Sequence, residues 1–164
     1  MDAITILGTA GAVVNIIDII GRSIKTLRDL HDRWEDADLI ALNLITQLVA
    51  LKAALSQISE WVSSDLAYHP HHYQLVMDLG ESIGCCKLLV KSVDDQLAKL
   101  QCGTNSRLDT ESRLRIMFEN KVCENFQMYI QRQTNALTLL LTACNWQVAS
   151  STYSEGMTTN PWHF

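Results

Sequence analysis

Few residues in this chain stand at the spacings that bond-making chemistry requires. The densest cluster of metal-capable side chains is His69, His71 and His72 around Pro70. Imidazole is a common metal ligand, but no Cys or carboxylate falls at a matching i, i+4 spacing, so the cluster reads as a helix start and no metal site is expected. Cys85 and Cys86 are adjacent, which raises a redox pair. Neighbours on a helix point in different directions, however, and with Cys102, Cys123 and Cys144 they make an odd set without CxxC spacing. Cys86, Cys123 and Cys144 sit in or beside apolar helical runs, where a free thiol acts as a small hydrophobe, so reduced core cysteines are expected. Gly8 and Gly11 lie in an apolar run with no following Lys and Ser or Thr, which excludes a phosphate cradle. There is no GxSxG elbow, no HExxH pair and no locally placed Ser, His and Asp set. No catalytic, cofactor-binding or metal-binding residue is assigned, no cofactor is expected, and the chain is read as a non-enzyme.

What the residues do offer is a choice between water, protein and lipid. Ala3–Ile20, AITILGTAGAVVNIIDII, carries a single charge, Asp18. As a helix at ~1.5 Å per residue it is roughly 27 Å long, close to the ~30 Å of a bilayer's hydrocarbon core. Thr5, Asn15, Asp18 and the small residues Gly8, Ala10, Gly11 and Ala12 dilute it below a Leu-rich anchor. Three readings stay open on pattern alone: the central helix of a soluble bundle, the same helix buried at rest and released into a membrane, or a constitutive anchor. Arg22, Lys25 and Arg28 follow directly, opposite the stripe Ile20, Ile24, Leu27, Leu30 and Trp34. Such a cluster is a possible contact for anionic lipid at ~1 kcal/mol per cation, although Asp29 and Asp32 nearby also suit an ordinary solvated face.

Stepping from these residues to the elements that must hold them, 48% of the 164 residues are apolar, Gly is sparse, and Pro occurs only at 70 and 161. Few breakers and long periodic runs predict helices in one domain. The first helix is expected to continue to about His31. A second starts near Asp36, where Glu35, Asp36 and Asp38 favour a helix N-terminus. It carries the seam Ala37, Ala41, Leu44, Leu48, Leu51, Leu55, Ile58 and Val62 at alternating steps of four and three. A third begins near His69, with the seam Val76, Leu79, Ile83, Cys86, Val90, Val93, Leu97 and Leu100; a short antiparallel turn would lay it against the second. Residues 102–106 read as a loop. A last pattern runs through Leu114, Met117 or Phe118, Val122, Phe126, Tyr129, Ile130, Leu137, Leu140, Leu141 and Cys144, broken near Asn120 to Cys123 and ending near Trp146. The expected architecture is all-α, a four- to five-helix up-and-down bundle over 1–147 with a hydrophobic N-terminal helix, followed by a flexible tail or linker over 148–164. The net charge of −5 gives no case for nucleic acid as partner. Asp2 stands where a signal peptide needs positive charge, so a cytoplasmic location is expected.

Several stretches together resemble the fungal HeLo-like N-terminal domain of NOD-like receptors and other STAND signalling proteins. They are the opening MDAITILGTAGAVVNIIDII, the SIKTLRDLHD that follows, the Leu-rich LNLITQLVALKAALSQI and the closing RQTNALTLLLTAC. The likeness covers about residues 2–146 and lies in the order and texture of the segments. It implies a helical bundle related to the HeLo domain and to the four-helix domain of mixed lineage kinase-like protein, and a role in regulated cell death and innate immunity. In such proteins an upstream receptor or an attached C-terminal module triggers release of the N-terminal helix, self-oligomerisation and permeabilisation of the plasma membrane. Carried onto this chain, the resemblance assigns membrane insertion to Ile4, Ile6, Leu7, Val13, Val14, Ile16, Ile17, Ile19 and Ile20. Gly8, Gly11 and Ala12 would allow close helix contact in the bilayer. Asp18 would need a partner or a polar lumen there. The competing expectation is a non-lytic interaction adaptor of a fungal STAND receptor.

Overall fold

The structure, a computed structural model, describes residues 3–32, 39–63, 73–101 and 121–158. They form four helices: α1 Ala3–His31, α2 Leu39–Val62, α3 Tyr73–Gln101 and α4 Lys121–Thr158. The described residues contain no strand, and the fold is an all-α bundle. Each helix follows its apolar repeat. Every described residue of the α2 seam, from Ala41 to Val62, is buried, and so is every described residue of the α3 seam from Val76 to Leu97. From α1 the core takes Val13, Ile16, Ile20, Ile24, Leu27 and Leu30, and from α4 it takes Cys123, Phe126, Ile130, Leu137, Leu141 and Cys144. Arg28 occupies the last turn of α1, where its positive charge is favourable at the negative end of the helix dipole.

Helix directions follow from three cross-links. The Cβ position of Gly21 lies 4.0 Å from Lys52 Nζ, which sets α1 and α2 antiparallel across their brief connection. Ser23 donates to Asp94 Oδ1 at 3.2 Å, joining α1 to α3. An antiparallel pair held at that register would run the first half of α1 past the C-terminal end of α3, so the two are parallel. Asn43 donates to Gln127 at 3.1 Å, and the same reasoning makes α2 and α4 parallel. The directions therefore alternate up and down along the chain. The order around the core, however, is α1, α2, α4, α3, because the close pairs are α1 with α2, α2 with α4, α4 with α3 and α3 with α1. The α2 and α3 seams, expected to pair as sequential neighbours, instead face each other across the diagonal.

Two other expectations are corrected in α4. Val122 and Tyr129 are exposed, and Cys123 takes the core position beside Phe126 and Ile130. The helix also runs past Trp146 to Thr158, through residues read as tail. Loss of apolar periodicity reports loss of burial, not of helicity, and no proline interrupts the chain until Pro161. At the register of Asn43 with Gln127, Val62 stands level with Trp146, so the last turns of α4 reach beyond the end of α2. His69, His71, His72, Cys102, Trp34 and the 102–106 loop lie outside the described residues.

Candidate functional site

The N-terminal helix is the element to which function was assigned, and the bundle divides its residues three ways. Val13, Ile16 and Ile20 are fully buried. Ile17, Ile19, Ala10 and Ala12 are half-buried at the edge of the core. Val14 is 52% exposed, and Gly8, Gly11 and Asp18 also face water. The side chains of Ile4, Ile6 and Leu7 lie outside the described set. The residues expected to insert together thus do not share a face: a helix that is apolar nearly all round presents one stripe to the core and leaves the rest uncovered.

The glycines make the same point sterically. Nothing lies within 4 Å of a Cβ built at Gly8 or Gly11, so the folded bundle does not need glycine at either place. Gly in a helix interior costs ~1 kcal/mol relative to Ala, and here no close backbone approach offsets that cost. Arg22, Lys25 and Arg28 are all exposed, on the outer side of α1 as expected. Between Arg22 and Lys25 the pattern changes. Ser23 is fully buried, and its hydrogen bond to Asp94 joins α1 to α3. Its polarity disguised it in the sequence, although Ile16, Ile20, Ser23 and Leu27 keep the steps of four and three that mark a buried face.

Removing α1 from the bundle has a definite cost. Burial of a Val, Leu or Ile side chain is worth ~1.5–3 kcal/mol, so withdrawing the core face of α1 forfeits roughly 10 kcal/mol, comparable with the whole ~5–15 kcal/mol stability of a domain. Ahead of Val13, Gly8 and Gly11 are exposed and Ala10 and Ala12 half-buried. Val13–Leu30 cannot leave the bundle without opening the core.

Among the described residues no group of His, Cys, Asp and Glu could hold a metal ion. Cys86, Cys123 and Cys144 are free, buried thiols, and Cys85 is free and exposed. Burial pushes the Cys86 thiol up to about 12, with a smaller contribution from Cys85, and pushes Cys123 and Cys144 up to about 11. These are inert packing groups and poor nucleophiles. Among the described residues the stretch long and apolar enough to cross a membrane is Ala41–Val62 in α2, although a core helix of a soluble protein satisfies the same test. Its two charges, Lys52 and Glu60, were visible in the sequence but were overshadowed by its regular seam. Compared with protein-family models, curated proteins and solved structures, the chain matches none.

Proposed function

We propose that this chain is a cytosolic cell-death and innate-immune signalling domain of the fungal HeLo-like kind, whose N-terminal helix is released on activation to target and permeabilise the plasma membrane. The observation that carries the reading is the uncovered side of α1. Val14 stands half in water, and Gly8 and Gly11 face open space where the fold has no use for glycine. A helix with apolar surface beyond what its bundle buries, and with small residues unexplained by that bundle, fits one that packs elsewhere in a second state. Full withdrawal requires an activator or the bilayer to offset the lost core contacts.

Val14→Asp is the discriminating variant, because it meets water in the folded bundle and leaves the core intact. Wild-type chain expressed in fungal cells is expected to kill them and move to the plasma membrane; the variant, with an unchanged melting temperature, is expected to do neither. Equal killing by both would reject insertion through this helix. The second reading, a non-lytic adaptor, is favoured by the unusually charge-poor outer side of α2 and α4. It predicts that α1 amides stay protected from hydrogen exchange when activator and liposomes are both present.

A further inference from the structure

The order α1, α2, α4, α3 sorts the surface charges by side. α1 and α3 carry Asp18, Arg22, Lys25, Arg28 and Asp29 and then Asp78, Glu81, Lys87, Lys91, Asp94, Asp95 and Lys99. α2 has only Lys52 and Glu60, and α4 has no charge at all from Gln133 to Ser154. The helices are far apart in sequence, so only their adjacency makes one continuous charge-poor side. The Thr46 hydroxyl on that side donates to its own helix, to the Leu42 carbonyl. Thr138 and Thr142 donate to the carbonyls of Thr134 and Thr138. With their donors satisfied along their own helices, these exposed threonines need no partner for their hydroxyl protons, and they stand with exposed Ala50 and Ala53. Standing above them on α4 are two large apolar side chains, Leu139 at 71% and Trp146 at 77% exposure.

From these features we infer that the α2/α4 side is the interface of a homodimer, with a second copy of this chain laid antiparallel across it. Arg132, Leu139 and Trp146 follow one another at seven-residue intervals and so lie on one line down the outside of α4. Leu139 is the midpoint of that line. A twofold axis through it sets Leu139 against its copy and puts each Arg132 over the other chain's Trp146, giving two identical cation–π contacts. Arg132 is free for this, since it has no acidic partner among the described residues. The size also fits. Two helices side by side, ~20 Å across and overlapping for ~36 Å, offer roughly 700 Å² per copy, near the ~800 Å² of a standard stable interface. A bilayer is the poorer occupant. Gln57, Gln131 and Asn135 are exposed on these helices, and lipid would strip their amides of water and return no hydrogen bond. Nor do Lys52, Lys121 and Arg132, set against Glu60, Glu124 and Glu155, give a pull toward anionic headgroups.

This dimer belongs to the resting protein and stands independently of the membrane reading of α1. Sedimentation equilibrium of the full chain, run with reductant at tens of micromolar, is expected to return a dimer. Leu139→Asp and Trp146→Asp are expected to raise the dissociation constant roughly tenfold or more with unchanged helicity. The exchanged variant carrying both Arg132→Trp and Trp146→Arg keeps the reciprocal pair and is expected to restore the dimer. In a background with Cys85 and Cys102 changed to Ser, Leu139→Cys should crosslink to its own copy on mild oxidation, while Leu88→Cys on exposed α3 should not. A monomer at all concentrations, equal crosslinking at both positions, or binding of the monomer to neutral phosphatidylcholine vesicles abolished by Leu139→Asp would each overturn the assignment.

Discussion

Ser23 shows how much one hydroxyl decides. It is fully buried in a face otherwise made of Ile16, Ile20, Ile24 and Leu27, and its bond to Asp94 ties α1 to α3 at a single register. A buried hydroxyl without a partner costs ~1–3 kcal/mol, whereas a made bond contributes only ~0.5–1.5 kcal/mol net. Asp94 is half-exposed and can turn to water when its donor is gone. Ser23→Ala is therefore expected to destabilise the bundle by ~1 kcal/mol, read as a fall of ~2–4 °C in melting temperature. Ser23→Asp places a second carboxylate beside the first in the core and is expected to cost several times more. If Ser23→Ala melts at the wild-type temperature, the α1–α3 tie is not the one drawn here.

Among the elements, α1 and α4 teach opposite lessons about reading sequence. The steps of three and four that predicted α2 and α3 did so because a helix buried on one side must repeat its apolar residues at that spacing, and the described seam residues of both are buried. In α4 the same rule misled twice. Val122 and Tyr129 are apolar but exposed, because the buried face runs through their neighbours Cys123, Phe126 and Ile130, and the end of the apolar repeat marked the end of packing and not of the helix. Which helices stand side by side was not legible at all, since two equally regular seams carry no label saying which neighbour each will meet. The site was half legible: the sequence located α1 and its outer cations, but not the buried Ser23 or which apolar residues stay wet. For α1 a sharp expectation follows from Gly8 and Gly11. With open space at both Cβ positions, Gly8→Ala with Gly11→Ala should stabilise the folded chain by ~1–2 kcal/mol through helix propensity alone. If the glycines serve helix contact in the membrane state, the same variant should be more stable in urea and yet less able to kill cells. A variant that is more stable and fully active would show that the glycines have no second use.

At the scale of the whole molecule, the buried cysteines tie stability to alkaline pH. Cys86 on α3 and Cys123 and Cys144 on α4 all pack into the single core shared by the four helices, and burial raises each thiol from an ordinary 9.0 to about 11 or 12. Between those values the unfolded chain releases protons that the folded chain retains, so stability falls as pH rises. The contribution is full below about pH 9 and is lost progressively toward the folded values. Each thiol can remove about 1.4 kcal/mol per pH unit in that window. Urea midpoints measured under reductant should hold steady between pH 7 and pH 8.5 and drop steeply by pH 10.5. Replacing all three by Ala opens small cavities and lowers the baseline, so the informative quantity is the slope, which should flatten in the triple variant. The effect would not stay on one helix. A thiolate formed at Cys86 or Cys144 lies in the same core that holds Val13, Ile16 and Ile20, so alkaline loosening should free α1 along with the helices that cover it. Hydrogen exchange at pH 10 would then show protection lost together across α1, α3 and α4, and loss confined to α1 would mean that the N-terminal helix is held apart from the core it lines.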